Sequence, residues 1–339
     1  MAEQPTIFCL TPCKDEAWIL DQTIAAASTW ADYVIVADQQ STDGSREIIR
    51  SHEKAVLVDN PGEKWDEKQR QHLLINTARE LPAAGKRIFI SLDADEALSA
   101  NWQTSPEWQR ILAAPPGTVF GFLWANLMPD FQTAWVPQDD KKWFCVVDDG
   151  QPHDPILIHG PRIPYADDAP QHLLHDIKVL HYQFADWERM RSKQRWYQAW
   201  EHLTFPEKSS VDIFRQYNHM YGIPEHELQP VEERWFTAYE AAGIDARSVH
   251  VEGAYRWDPE VLQMIAHHGA DRLKRAAIWD DADWRALAQA HGMPQPPHTF
   301  ADPRTAWGRL VHRFLRTSQP RRDAVDVRAV QKLLKLLGW

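Results

Sequence analysis

Through the first hundred residues, short apolar runs alternate with longer stretches in which apolar residues recur every three or four positions. TIFCL (6–10) reads as a buried strand, EAWILDQTIAAAST (16–29) as an amphipathic helix and YVIVA (33–37) as a second strand. After the polar segment DQQSTDGS come a short helix, REIIRSH, and a third strand, AVLV. The pattern closes with the helix DEKQRQHLLINTARE and a fourth strand, RIFISL (87–92). Strands that are apolar on both faces and alternate with helices predict a parallel sheet covered on both sides. Ligands of such sheets bind beyond the carboxyl ends of the strands, so the chemistry is expected after Leu10, Ala37, Val58 and Leu92.

Beyond Ser105 the pattern loosens. TVFGFLWANL and KWFCVV predict further strands, and a polar, Pro-rich stretch follows from Asp148 to Gln171. IKVLHYQF predicts a last strand and DWERMRSKQRWYQAWEHL a helix. From Pro206 the signals are helical, which places a boundary near residue 205: a catalytic domain over 1–205 and a mainly helical region over 206–339.

The four loops at the predicted rim are TPCKDE, DQQSTDG, DNPGEKWDEKQR and DADE, each bringing acids, hydroxyls or bases. The last puts Asp93, Asp95 and Glu96 straight after a strand, where three carboxylates repel one another unless a cation sits among them. A second Asp-Ala-Asp at Asp281–Asp283 serves as an internal control. Its neighbours Ile278, Trp279, Trp284 and Leu287 have helical spacing, so there an Asp caps a helix N-terminus. The strand before the first copy is what sets it apart.

Composition narrows the class. With 44% hydrophobic and 25% charged residues the chain is that of an ordinary globular protein, and a net charge of −11 argues against nucleic acid as a partner. Cys9, Cys13 and Cys145 have no second Cys or His pair beside them to complete a zinc site, and they read as reduced thiols. Neither a signal peptide nor an apolar run long enough to span a bilayer is visible, so a cytoplasmic location is expected. The region 301–339 is the exception to the acidic balance. It carries nine Lys or Arg against three acids, and Trp307, Leu310, Val311, Phe314 and Leu315 fall on one helical face. VRAVQKLLKLLGW repeats the pattern. Peripheral contact with the inner face of a membrane is one expectation for it; packing on the catalytic domain is the other.

The stretch CKDEAWILDQTIAAASTWADYVIVADQQSTDGS, then SLDADE, then LHY before a basic helix resembles the family 2 glycosyltransferases, especially bacterial enzymes of lipopolysaccharide-core and surface-glycan synthesis. The resemblance covers residues 5–200. It implies a Rossmann-like α/β fold of the nucleotide-diphospho-sugar transferase (A-type glycosyltransferase) class, with a mostly parallel sheet, helices on both faces and a helical C-terminal extension. It also implies a metal-dependent enzyme that moves one sugar from a nucleotide-diphospho-sugar, UDP-linked, to a hydroxyl of a glycan or glycolipid acceptor, with inversion. Mn²⁺ or Mg²⁺ would be held by Asp93, Asp95 and His181, and hard cations do prefer carboxylate oxygen. Asp38 matches the acid that accepts from the base N–H. Thr11, Glu16, Asp43 and Asp93 match donor-lining positions, and Asp15 stands at the family's usual Asn. Lys68, Arg70 and Arg195 are candidate phosphate partners, with Arg189 and Lys193 on the face of Arg195.

The match breaks at the general base. Core-type relatives carry His-Glu before the last strand; here His159 is followed by Gly160, and the expected base moves to Asp167 or Asp168, with Asp154 and Asp176 behind them. The processive-synthase signature Gln-x-x-Arg-Trp is incomplete, with Arg195 and Trp196 present but Ser192 at the Gln position. Two readings compete: a nucleotide- or glycan-binding protein with a decayed site, and a sugar nucleotidyltransferase, whose Gly-rich phosphate loop TPCKDE lacks.

Overall fold

The computed structural model describes residues 3–61, 66–139, 141–152, 161–251, 253–293 and 296–339. The alternating pattern becomes β1 (Thr6–Cys13), α1 (Leu20–Ser28), β2 (Tyr33–Asp38), α2 (Ser45–Ser51), β3 (Ala55–Asp59), α3 (Glu67–Glu80) and β4 (Arg87–Ser91). β1 pairs with β2 and β4, and β2 with β3, all in parallel. The period of two along β1 decides which helix covers which face. Ile7 and Cys9 enter a core with Leu20 and Ile24 of α1 and Ile49 of α2. Phe8 and Leu10 enter another with Leu74, Ile75 and Ala78 of α3. The expected α/β sheet with helices on both faces is therefore present.

The sheet continues through β5 (Glu96–Leu98), α4 (Pro106–Ala113), β6 (Val119–Leu127), β7 (Thr133–Trp135), β8 (Lys141–Val147) and β9 (Gln171–His181). β8 runs antiparallel to both β4 and β6, so β6 points the same way as β4, and β9 is parallel to β6. His181, at the end of β9, thus reaches the same rim as the acids after β4. Gly121 of β6 lies under the Trp143 ring, where a Cβ would come within 2.7 Å of it. Only glycine lets the strands close there.

Two compact units are found, Met1–Ala185 with Gln229–Val251, and Asp186–Leu228 with Glu252–Trp339. The chain leaves the first unit at residue 185, before the helix that was expected to end it near 205. It returns through β10 (Leu228–Pro230) and α7 (Thr237–Ala241). The returning segment buries Trp235, Phe236 and Tyr239 against Trp18, Leu180 and Tyr182, and Tyr239 donates to the Leu98 carbonyl at 2.8 Å.

The second unit is helical: α5 (Trp187–Thr204), α6 (Ser210–Tyr217), α8 (Trp257–His268), α9 (Trp284–Ala290), α10 (Ala306–Thr317) and α11 (Val325–Leu336). Ala199 of α5 packs with Val261, Leu262 and Ile265 of α8. Asp283 caps α9 by accepting from the amides of Arg285 and Ala286, both at 3.1 Å, which is the role expected of the second Asp-Ala-Asp. Among the described residues, no helix is long and apolar enough to cross a membrane.

Candidate functional site

The end of β2 sets one side of the rim. Asp38 and Asp59 are register partners at the ends of neighbouring parallel strands, and Arg46 of α2 bridges them at 2.7 and 2.6 Å. Asp38 is fully buried; its Oδ2 also accepts from the Ser41 amide at 3.1 Å, while its Oδ1 has no hydrogen-bond partner. A buried carboxylate oxygen left unmet is costly, and a donor from outside the protein is one way of meeting it.

The loops after β1 and β2 hold one another. Asp15 Oδ1 accepts from the Thr42 amide at 2.8 Å, and Ser45 Oγ accepts from the Glu16 amide at 2.9 Å. Asp43, expected among the donor-binding residues, is spent here: its two oxygens take the Ser45 amide and hydroxyl and the Ala17 amide. Burial works against its ionised form, but these bonds outweigh burial and hold the carboxyl below its ordinary range. Its place is that of a tie between two loops. Glu16 accepts from Trp18 Nε1 at 2.6 Å. Thr11 lies inside β1, a strand longer than TIFCL, and lines a small cavity with Cys9, Thr23, Asp93 and Glu96.

After β4 the three acids part company. The side chain of Glu96 is fully buried and takes Trp124 Nε1 at 2.9 Å and the Asp93 amide at 2.8 Å. The cation that the sequence demanded is Arg162, which no sequence signal singled out. Its guanidinium contacts both Glu96 oxygens and reaches Asp93 Oδ2 at 2.5 Å, stacked on Phe144 with 3.8 Å to the ring centre. Burial would weaken its charge, yet Asp93, Glu96 and Asp95 overcome that and raise its pKa. Arg70, at the start of α3, is near enough to feel Asp93 and Arg162; burial lowers its pKa and Arg162 adds to that. Lys68 is half-buried on the same helix turn.

Asp95 faces His181 instead, Oδ2 to Nε2 at 3.7 Å. His181 Nδ1 lies 2.9 Å from Asn126 Oδ1, and the ring stacks on Trp124 with 4.4 Å between centres. Gln183 Nε2 donates to the same Asn126 oxygen at 2.8 Å, while Asn126 Nδ2 donates to the Trp135 carbonyl. With Asn126 Oδ1 so fixed as an acceptor, His181 donates from Nδ1, and Nε2 is the nitrogen turned to the Asp95 side. That is how ligating histidines are oriented. Asn126, Trp124 and Gln183 are a supporting set that sequence reasoning missed.

Among the described residues, no group of three or more His, Cys, Asp or Glu side chains is placed to hold a metal ion on its own. Of the expected trio, Asp95 and His181 stand together and Asp93 belongs to Arg162. Two oriented protein donors nonetheless suit a hard cation whose remaining ligands come from a substrate phosphate.

Two expected site residues are placed elsewhere. Asp167 and Asp168 occupy an exposed turn that leads into the start of β9. Val119 pairs with Gln171 and Asn126 with His181, so seven residues of β6, about 23 Å at roughly 3.3 Å each, separate the two ends. The reason is packing: Ile163, Tyr165 and Ala169 enter the core with Phe8, Phe89 and Val119 and draw the loop down the sheet face. They are not brought to the rim. Asp176 is engaged by Arg234 at 2.5 Å, whereas Asp154 and His159 lie outside the described residues. Arg195 is buried in the second unit beside Asp258 (3.3 Å) and Asp281 (3.9 Å). The face of α5 read as turned to a diphosphate therefore places Arg195 in that unit's interior, and Arg189 and Lys193 against the Trp257 ring.

Among solved structures the chain is similar to glucosyl-3-phosphoglycerate synthase from Mycobacterium tuberculosis in complex with Mn²⁺, UDP and phosphoglyceric acid. Identity is 18% over 35% of this chain and 43% of that one, with a TM-score of 0.26. The same enzyme with Mg²⁺ and UDP gives 19% identity over 36% and 43%, and 0.25. A further mycobacterial protein gives 18% over 36% and 42%, and 0.28. The chain thus spans less than half the length of the solved chains it matches, and at these scores the likeness carries no weight for activity. No family model matches the chain, and no curated protein matches it.

Proposed function

We propose that this chain is a metal-dependent glycosyltransferase that moves one sugar from a nucleotide-diphospho-sugar, UDP-linked, to a hydroxyl of a glycan or glycolipid acceptor, with inversion. One observation carries the reading. The same sheet rim presents a buried carboxylate oxygen without a partner, Asp38 Oδ1, and an imidazole nitrogen turned toward a carboxylate, His181 Nε2 and Asp95. The first suits the N–H of a nucleobase and the second a divalent ion beside a diphosphate.

In this reading Asp38 accepts from the base, Thr11 and Glu16 line the nucleotide, and Lys68 and Arg70 face the phosphates. Asp95 and His181 hold Mn²⁺ or Mg²⁺, which when bound offsets the charge that develops on the leaving diphosphate. Asn126 keeps His181 in the tautomer that can ligate, and Trp124 fixes the plane of its ring. Titration calorimetry of UDP with and without Mn²⁺ tests the assignment. Asp95→Ala should abolish the metal-dependent part of binding, and Asp283→Ala in the second Asp-Ala-Asp should leave it unchanged. Parent-like binding by both variants would overturn the site.

A nucleotide-binding protein without turnover is the second reading, favoured by the distance of Asp167 and Asp168 from the rim. Sugar release from a panel of UDP-sugars with Mn²⁺ separates the two.

A further inference from the structure

Arg162 contacts both Asp93 and Glu96, and its contacts decide what those two acids can still do. Glu96 has no solvent exposure and depends on the guanidinium for its counter-charge. Asp93 is 41% exposed, so it could turn to an incoming ion, but one oxygen is held by Arg162 at 2.5 Å. Moving Arg162 aside to free Asp93 would leave the buried Glu96 carboxylate with its two neutral donors, Trp124 Nε1 and the Asp93 amide, but without a counter-charge, which is unfavourable. Phe144, stacked on the guanidinium, further resists that movement.

We infer that Arg162 is an internal counter-cation that withholds Asp93 from metal, so that the rim takes up a divalent ion only together with a diphosphate. The inference rests on the nucleotide-diphosphate reading of this site. Arg162, with Arg70 near it, offsets part of the negative charge of Asp93, Asp95 and Glu96 and so weakens their attraction for a divalent ion. Asp95 and His181 supply two donors where such ions take about six or more. A diphosphate brings both the missing oxygens and the missing negative charge. Arg162 is accordingly a positioning residue: it acts on the ion through Asp93 and does not touch it.

The test is Mn²⁺ affinity of the full chain, read from the electron paramagnetic resonance signal of free Mn²⁺, with and without saturating UDP. The parent should bind Mn²⁺ at least about tenfold more weakly without UDP. Arg162→Lys should behave like the parent. Since Arg162→Gln alone strands Glu96 and threatens folding, the informative variant is the double change Arg162→Gln with Glu96→Gln, which removes both charges of the buried pair. Released from Arg162, Asp93 should raise the UDP-free Mn²⁺ affinity of that variant about tenfold or more. An unchanged UDP-free affinity in the double variant, or equal Mn²⁺ affinity with and without UDP in the parent, overturns the inference while leaving the nucleotide reading standing. Failure of the parent to bind UDP at all overturns both.

Discussion

Asp38 shows how one side chain can be both structural and unsatisfied. One oxygen is bound to Arg46 and the Ser41 amide, and the other is buried and open. A base N–H donating to an ionised carboxylate contributes more than one donating to a neutral amide, by about 1 kcal/mol or more. Asp38→Asn should therefore weaken UDP binding roughly tenfold in calorimetry and leave UDP-free Mn²⁺ uptake as it was. An unchanged UDP affinity would remove Asp38 from the site. The thiols at this scale are inert: burial pushes Cys9 up to about 12 and raises Cys13 and Cys145 as well, so none ionises at neutral pH.

The loop between Arg162 and β9 joins the rim to the far end of the sheet. Its first residue in the site is Arg162, and six residues later Asp168 has been carried away by the packing of Ile163 and Tyr165. If that placement governs function, Asp167→Asn and Asp168→Asn should each leave sugar transfer within about twofold, whereas loss of a general base costs about a hundredfold or more. A large drop in either variant would return the base to this turn.

Helix α10 makes a different prediction. His312 is buried, with Nδ1 on Arg304 and Nε2 on the Arg275 carbonyl, both at 3.0 Å. Burial first, and then the charges of Arg304 and His202, push its pKa down to about 4, although the Arg275 carbonyl and Asp280 act the other way. Below about pH 6.5 the unfolded chain takes up a proton that the folded chain refuses, so stability falls as pH drops and levels off near pH 4. The full effect is on the order of 3 kcal/mol. Urea unfolding at pH 7.5 and pH 5 should show a shallower pH dependence in His312→Gln than in the parent, and parallel slopes would refute it.

For the whole molecule, the open matter is the basic region 301–339. Val311 and Leu315 of α10 and Leu334 of α11 are buried with Val211 and Phe214 of α6, so the expected apolar face is in part a packing face. It is not wholly consumed. Trp307 and Leu310 remain more than half exposed, as do Leu333 (56%), Leu336 (78%) and Leu337, with Arg309, Arg313, Arg328 and Lys332 exposed beside them. We propose that these apolar side chains meet an anionic bilayer surface, each nearby cation contributing about 1 kcal/mol. The parent should float with phosphatidylserine vesicles at low salt and detach at high salt. Leu333→Ser with Leu336→Ser should stay behind. If the parent does not float, the exposed residues serve something other than lipid.

What the sequence alone determined is local. The periods of two and 3.6 settle which segments are strands and which are helices, and chain direction in a parallel sheet then puts Asp38, Asp93 and Asp95 on one rim; His181, expected from the family resemblance, joins them because β9 runs parallel to β6. The helical spacing after the second Asp-Ala-Asp marks an Asp there as a helix cap, and Asp283 is the one that fills the role. Long-range pairing was decided only by the tertiary structure. Arg162 meets Glu96 across 66 residues, and Asn126 meets His181 across 55. Arg195 lies on the same helix as Arg189, yet its charge is answered by Asp258, 63 residues on. Spacing along the chain carries no information about such pairs, because the desolvation that makes them necessary arises only when distant strands and helices close around them.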